Sequence, residues 1–156
     1  MSSPTVAPWD IDWLWSLPLI MLSVVIHVVG LMLIFRGVVG TMSIPAVRRH
    51  FFPMFIVVVG MAALLATVLH AFEGGLWAIS YRFLDALPDG RSAVLYSLSA
   101  ITSYGHVNLY LRDQWQLMGA LEALNGMLLF GLTTAFLFAM ISEVWDIGNR
   151  KGHRGI

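Results

Sequence analysis

The chain contains no cysteine, which excludes disulfides, thiolate metal sites and cysteine-based chemistry and leaves the redox compartment open. Charge is scarce as well. Acidic and basic residues number nine each among 156, so formal net charge is zero. These charges form no tails, and nucleic acid is not an expected partner. The first fifteen residues lack a basic n-region and carry Asp10 and Asp12, which argues against a cleaved leader. The first apolar segment is expected to stay as a membrane helix. There are no internal repeats and no low-complexity linkers. Neither a nucleophile–base arrangement nor a phosphate-cradling glycine loop is present, so the chain does not read as an enzyme and no cofactor is expected.

What the chain has in abundance is apolar surface: 58% of residues are hydrophobic, well above a soluble domain. Several runs reach the ~20 residues that cross a bilayer. The expected fold is an all-α membrane protein with three transmembrane helices and one half-span. Helix one covers roughly Trp13 to Phe35 and ends at Arg36. Gly40 to His50, with Pro45, Arg48 and Arg49, reads as an interfacial segment. Helix two starts near Pro53, a first-turn proline, and continues past Leu69 through His70 and Glu73 toward Tyr81. Pro88-Asp89-Gly90 signals a turn, with Asp89 as N-cap of an amphipathic half-span, Ser92–Thr102. Helix three runs from Trp115 to about Trp145. The divisions are residues 1–52, a pore module at 53–146 and a short tail at 147–156, all within one membrane domain.

Basic residues set the expected orientation. Arg36, Arg48 and Arg49 follow helix one, and Arg150, Lys151 and Arg154 close the chain, so both stretches should be cytoplasmic. The start of the chain then lies outside, with Trp9, Trp13 and Trp15 as an aromatic belt, although Arg82, Arg91 and Arg112 dilute the bias.

Helix, polar loop and helix inside a membrane-buried chain is the layout of a re-entrant loop, because irregular backbone at that depth needs protein or a water-filled cavity around it. The residues concerned are Tyr96-Ser97, then Thr102-Ser103-Tyr104-Gly105-His106-Val107-Asn108. Leu117-Met118-Gly119-Ala120-Leu121-Glu122-Ala123 and Asn125-Gly126-Met127-Leu128-Leu129-Phe130-Gly131-Leu132-Thr133-Thr134-Ala135 follow. From about Met54 to Trp145 this pattern resembles the pore module of the potassium-channel superfamily. It is most similar to small bacterial members of the two-pore-domain potassium channel family. His70, Glu73, Trp77 and Ala78 match a weaker pattern at the end of that family's outer helix. The resemblance implies a homotetramer around a central pore in a bacterial inner membrane, passing monovalent cations.

The filter departs from the family's Thr-Thr-(Val/Leu)-Gly-Tyr-Gly-Asp. Aligned without gaps, His106 stands at the tyrosine, Val107 at the second glycine and Asn108 at the aspartate. Filter carbonyls turned inward need residues at positive φ, which glycine adopts freely and a β-branched residue does not. Standard potassium selectivity is therefore not expected. His106 has two readings: a hydrogen bond to neighbouring groups, or a ring of four imidazoles at the mouth that titrates or binds a divalent metal.

By the same resemblance, Met127, Phe130 and Thr134 line the cavity, and Gly126 and Gly131 permit bending. The i, i+3, i+7 spacing independently puts the first three on one helical face. Gly119, Ala123 and Gly126 form a small-residue stripe for close helix approach. Glu122 and Asn125 lie on the opposite side, and His70 and Glu73 are expected at similar depth, as a buried polar cluster bracing the filter. His27, alone in an apolar run, reads as a packing residue or a functional one.

Three functions compete. The first is a channel-like pore with a divergent filter, helped by cation-concentrating Asp85, Asp89 and Asp113. The second is a channel-derived accessory protein without conduction. The third is a membrane metalloprotein using His27, His70, Glu73, His106 and Glu122, although no second His–Glu motif completes a dinuclear site.

Overall fold

The computed structural model describes residues 10–44, 50–105 and 108–149, the last three as backbone alone. Helix α1 is Asp10–Met42, α2 is Phe51–Phe83, α3 is Gly90–Ile101 and α4 is Gln116–Asn149, which a 3-10 turn, Asp113–Trp115, precedes. Helices α1 and α2 have 33 residues each and α4 has 34. At 1.5 Å per residue each is roughly 50 Å long, against a hydrocarbon layer of about 30 Å. Among the described residues three helices are thus long and apolar enough to cross a membrane, which marks a multi-pass membrane protein.

All three overrun the ends expected from sequence. Helix α1 does not stop at Arg36, because a long basic side chain can bury its stem and carry its head to water. It continues to Met42, where Thr41 and Ser43 hydroxyls donate to the Gly37 and Val39 carbonyls. Gly40–Met42 is therefore helix and not an interfacial strip. Pro45, Arg48 and Arg49 lie outside the described residues, as do Trp9, Arg150, Lys151 and Arg154. Helix α2 begins at Phe51, so Pro53 falls in the first turn, where its missing N–H has no partner to lose. Helix α4 passes Trp145 and reaches Asn149.

The short helix α3 is closed at both ends by its own residues. Asp89 is its N-cap, with Oδ1 accepting from the Ser92 N–H at 2.9 Å and Oδ2 from the Ser92 hydroxyl at 2.7 Å. At the far end the Ser103 N–H donates to the Ala100 carbonyl and the Tyr104 N–H to the Ser99 carbonyl. That bond pair, with Ser103 left-handed at φ 55°, is a Schellman motif carrying serine where glycine is usual.

Contacts group the described chain into two units, one drawn from Met1–Ile26 and Ala71–Leu129, the other from His27–His70 and Phe130–Ile156. The first has a core of Trp77, Tyr81, Trp115 and Met118, filled in by Ala78, Ala86, Leu87, Ala93 and Leu111. Asp12 is buried there, and its Oδ1 accepts from the Met118 N–H at 3.0 Å. A carboxylate of α1 thereby caps the first turn of α4, where unpaired N–H groups and the helix dipole favour negative charge. Helices α3 and α4 meet at two glycines. A Cβ at Gly119 would strike the Tyr96 hydroxyl, and one at Gly126 would strike the Ile101 backbone. The small-residue stripe of α4 is thus occupied by α3 of the same chain.

The second unit packs Val38, Met42, Val58, Ala62, Met140 and Val144. Trp145 closes it edge-on to Phe51 and Phe55, at centroid distances of 6.4 and 5.8 Å. Gly30 lets Leu69 of α2 lie directly against α1.

Two outcomes follow from these contacts. Gly126→Ala must push backbone against backbone and should destabilise by about 1–3 kcal/mol or more. Gly131→Ala has open space and should be neutral or gain a few tenths. Thermal unfolding in one detergent compares them, and equal melting temperatures would refute the contact. The Ser92 N–H also holds the Asp89 carboxyl below its ordinary value. Stability from that cap is complete above the ordinary carboxylate value and disappears as pH falls through the lowered one. The protection factors of the Ser92 and Ala93 amides, exchange rates corrected for the intrinsic pH dependence, should fall below about pH 4. In Asp89→Ala they should be low already at neutral pH and change little on acidification.

Candidate functional site

Helix α3 is held by hydroxyl and carboxyl groups within the first unit. Its buried stripe is Ala93, Ser97, Ala100 and Ile101. Ser97 Oγ stands 2.6 Å from the Gly74 carbonyl oxygen of α2 and within bonding distance of Glu122 Oε1 of α4. Gly74 permits the approach because a side chain there would press on Leu98 and Ser97. The other carboxyl oxygen, Glu122 Oε2, accepts from the Tyr81 hydroxyl of α2 at 2.6 Å. Glu122, Ser97 and Tyr81 are fully buried.

Counting protons over these contacts constrains the carboxyl. A serine hydroxyl has one proton and two lone pairs. If Ser97 donates to Gly74, its contact with Glu122 is a hydrogen bond only when the carboxyl supplies the proton. A protonated Glu122 satisfies every group: it donates to Ser97, Ser97 donates to Gly74, and Tyr81 donates to the remaining oxygen. Tyr96 stands edge-on to Tyr81 at a centroid distance of 5.4 Å.

The loop that follows α3 begins with Thr102, whose Oγ1 donates to the Leu98 carbonyl at 2.6 Å. Ser103 (φ 55°), Gly105 (φ 87°) and Asn108 (φ 72°) are left-handed, and Tyr104 is 87% exposed. Glycine carries such a φ without penalty and asparagine often, whereas serine at Ser103 is strained. His106 and Val107 lie outside the described residues. Beyond them Leu111 is buried, and Arg112 forms an exposed ion pair with Asp85 at 2.7 Å.

On α4, Met127, Phe130 and Thr134 are exposed in the single chain, and a Cβ added at Gly131 would meet no other described group within 4 Å. The Thr134 hydroxyl is turned back onto the Phe130 carbonyl. Asn125 is buried, and among the described residues neither amide atom has a hydrogen-bond partner. Glu73 is completely buried. In the second unit, His70 Nε2 is 3.0 Å from Thr133 Oγ1, and the same oxygen is 3.0 Å from His27 Nε2. Thr133 is thus a partner of His70, and Tyr81 and Ser97 are partners of Glu122.

No protein-family model, curated protein or solved structure matches this chain.

Asp12, Tyr81 and Thr133 were not singled out as site residues from sequence. A signal for Thr133 existed: it lies eleven residues, three turns, beyond Glu122, which returns it to the same face within about 20°. Tyr81 stands in the same relation to His70 on α2.

The proton count yields a test. Glu122→Gln presents an N–H toward Ser97 and a carbonyl toward Tyr81, so its stability should lie within about 1 kcal/mol of the parent. Glu122→Leu strands the buried Tyr81 hydroxyl and should cost about 1–3 kcal/mol. Thermal unfolding with mass measurement of the assembly reads both, and collapse of the glutamine variant would show that the carboxyl is charged.

Proposed function

We propose that this chain is a membrane pore of the potassium-channel type with a non-standard filter, conducting monovalent cations with weak or altered selectivity. In this reading α3 is a re-entrant pore helix, residues 102–108 form the ion-facing loop, and four copies surround a central pathway. The observation that carries the reading is the binding of α3. A helix of 12 residues, too short to span, is pinned in an apolar chain to α2 through Ser97 and to α4 through Glu122 and Ile101. It then delivers a loop with three left-handed residues. A half-span of this kind brings non-helical backbone to membrane depth, where it must face protein or a water-filled path.

Two further features support it. The negative end of the α3 dipole lies beside Thr102–Gly105 and favours a cation there. The exposed face of α4 holds Met127, Phe130 and Thr134, which would line a cavity once other copies surround it. Apolar Val94 and Leu95, on the uncovered side of α3, are 46% and 47% exposed and available to such copies or to lipid. In this reading the N-terminus lies outside and the C-terminus in the cytoplasm of a bacterial inner membrane, an orientation that the basic residues following α1 and α4 in sequence support.

The test is current from purified protein in planar bilayers under potassium/sodium bi-ionic gradients. Recordings at about pH 5.5 and pH 7.5 bracket the ordinary imidazole value. Cation current is expected, and His106→Ala should remove any difference between the two pH values. A silent protein that is tetrameric by mass would defeat the reading and leave a non-conducting accessory role.

A further inference from the structure

Inside the second unit, two imidazoles share one hydroxyl. Thr133 Oγ1 of α4 lies 3.0 Å from His27 Nε2 of α1 and 3.0 Å from His70 Nε2 of α2. The two rings are 5.0 Å apart between centroids. His27 is fully buried, and His70 and Thr133 are each 8% exposed. Phe130 of α4 stacks on the His70 ring at 4.3 Å and 15° while keeping 43% of its own surface open.

A hydroxyl donates one hydrogen bond and accepts two. If both contacts are hydrogen bonds and the threonine proton points at one ring, the other ring must present an N–H. Only one of the two Nε2 atoms then carries a proton. Exchanging their roles gives a second arrangement of the same three groups, with Phe130 stacked on one ring, that of His70. The element that switches between the two is the threonine O–H.

We propose that His27, Thr133 and His70 form an intramembrane proton relay, in which the Thr133 hydroxyl passes one excess proton between the two imidazoles. The step balances. His27 begins as imidazolium, with protons on Nδ1 and Nε2, and His70 begins neutral, with Nε2 bare. The His27 Nε2–H bond breaks as a new O–H bond forms on Thr133. The original Thr133 O–H bond breaks as N–H forms on His70 Nε2. One positive charge has moved from one ring to the other, and the hydroxyl is regenerated. A second excess proton is opposed by the charge of the first across 5.0 Å.

Other titratable groups on these helices are sparse. Arg36 is the nearest along α1, nine residues beyond His27, and Glu143 the nearest along α4, ten beyond Thr133. On α2, Glu73 stands one turn from His70 and is the only carboxyl of that helix. Phe130 is the shutter between His70 and the open face of α4. Ionisable groups at this depth are costly without a role, and proton transfer is a common one. The relay stands independently of whether the chain conducts ions.

The experiment is nitrogen NMR of histidine-labelled full-length protein in nanodiscs, titrated between about pH 9 and pH 4 to bracket the imidazole range. Held at the first midpoint, wild type and Thr133→Ser should show proton exchange linking the His27 and His70 Nε2 signals. In Thr133→Val that exchange should slow about tenfold or more, since the hydroxyl that carries it is gone. Phe130→Ala should speed exchange of the His70 proton with water, having removed the stacked cover. Absence of exchange between the rings in wild type would overturn the relay without any variant. So would valine and wild-type exchange rates that coincide, or a zinc ion carried through purification and lost in His27→Ala.

Discussion

Three helices of the first unit depend on one carboxyl. Glu122 of α4 bonds Ser97 of α3 and Tyr81 of α2, and Ser97 continues to the Gly74 backbone. In water such bonds add little, because each replaces one to solvent. Within an apolar span there is no solvent to fall back on, so an unmade bond costs the full desolvation of its group. The short helix is thus fixed in rotation and depth by polar contacts, while packing at Gly126 fixes how near it comes. Apolar contacts alone would discriminate weakly here, since lipid tails offer the same chemistry as leucine.

The parts of this arrangement that were legible in sequence are those governed by composition. Three spans follow from the length of apolar runs, and α3 from a proline-aspartate-glycine turn ahead of a short amphipathic stretch. Helix ends were less legible, because Arg36 and the glycines after it are tolerated in a helix whose side chains reach an interface. Glu73, Glu122, Asn125 and His70 stood out as buried polar groups, since charge or amide in an apolar run needs an explanation. Their partners did not stand out. Hydroxyl residues in apolar helices usually turn back to their own backbone, as Thr41, Thr67, Ser80, Thr134 and Ser142 do here. Nothing in composition separates those from Ser97, Tyr81 and Thr133, which reach across to other helices.

The contrast between Thr133 and Thr134 makes the point within two residues. A rotation of about 100° sends one hydroxyl to two histidines and the other to the Phe130 carbonyl. The outer side of α4 is left with apolar and self-satisfied groups, compatible with lipid, another copy or an ion path. The inner side collects the groups that need one another.

The bond from Asp12 to the Met118 N–H has a consequence for how the chain is made. These residues are 106 apart in sequence, and α1, which carries Asp12, is synthesised before α4. The leading turn of α4 has N–H donors with no partner inside their own helix. One of them finds its acceptor only when α4 docks onto α1, so a local need of one helix is met by a contact of long range.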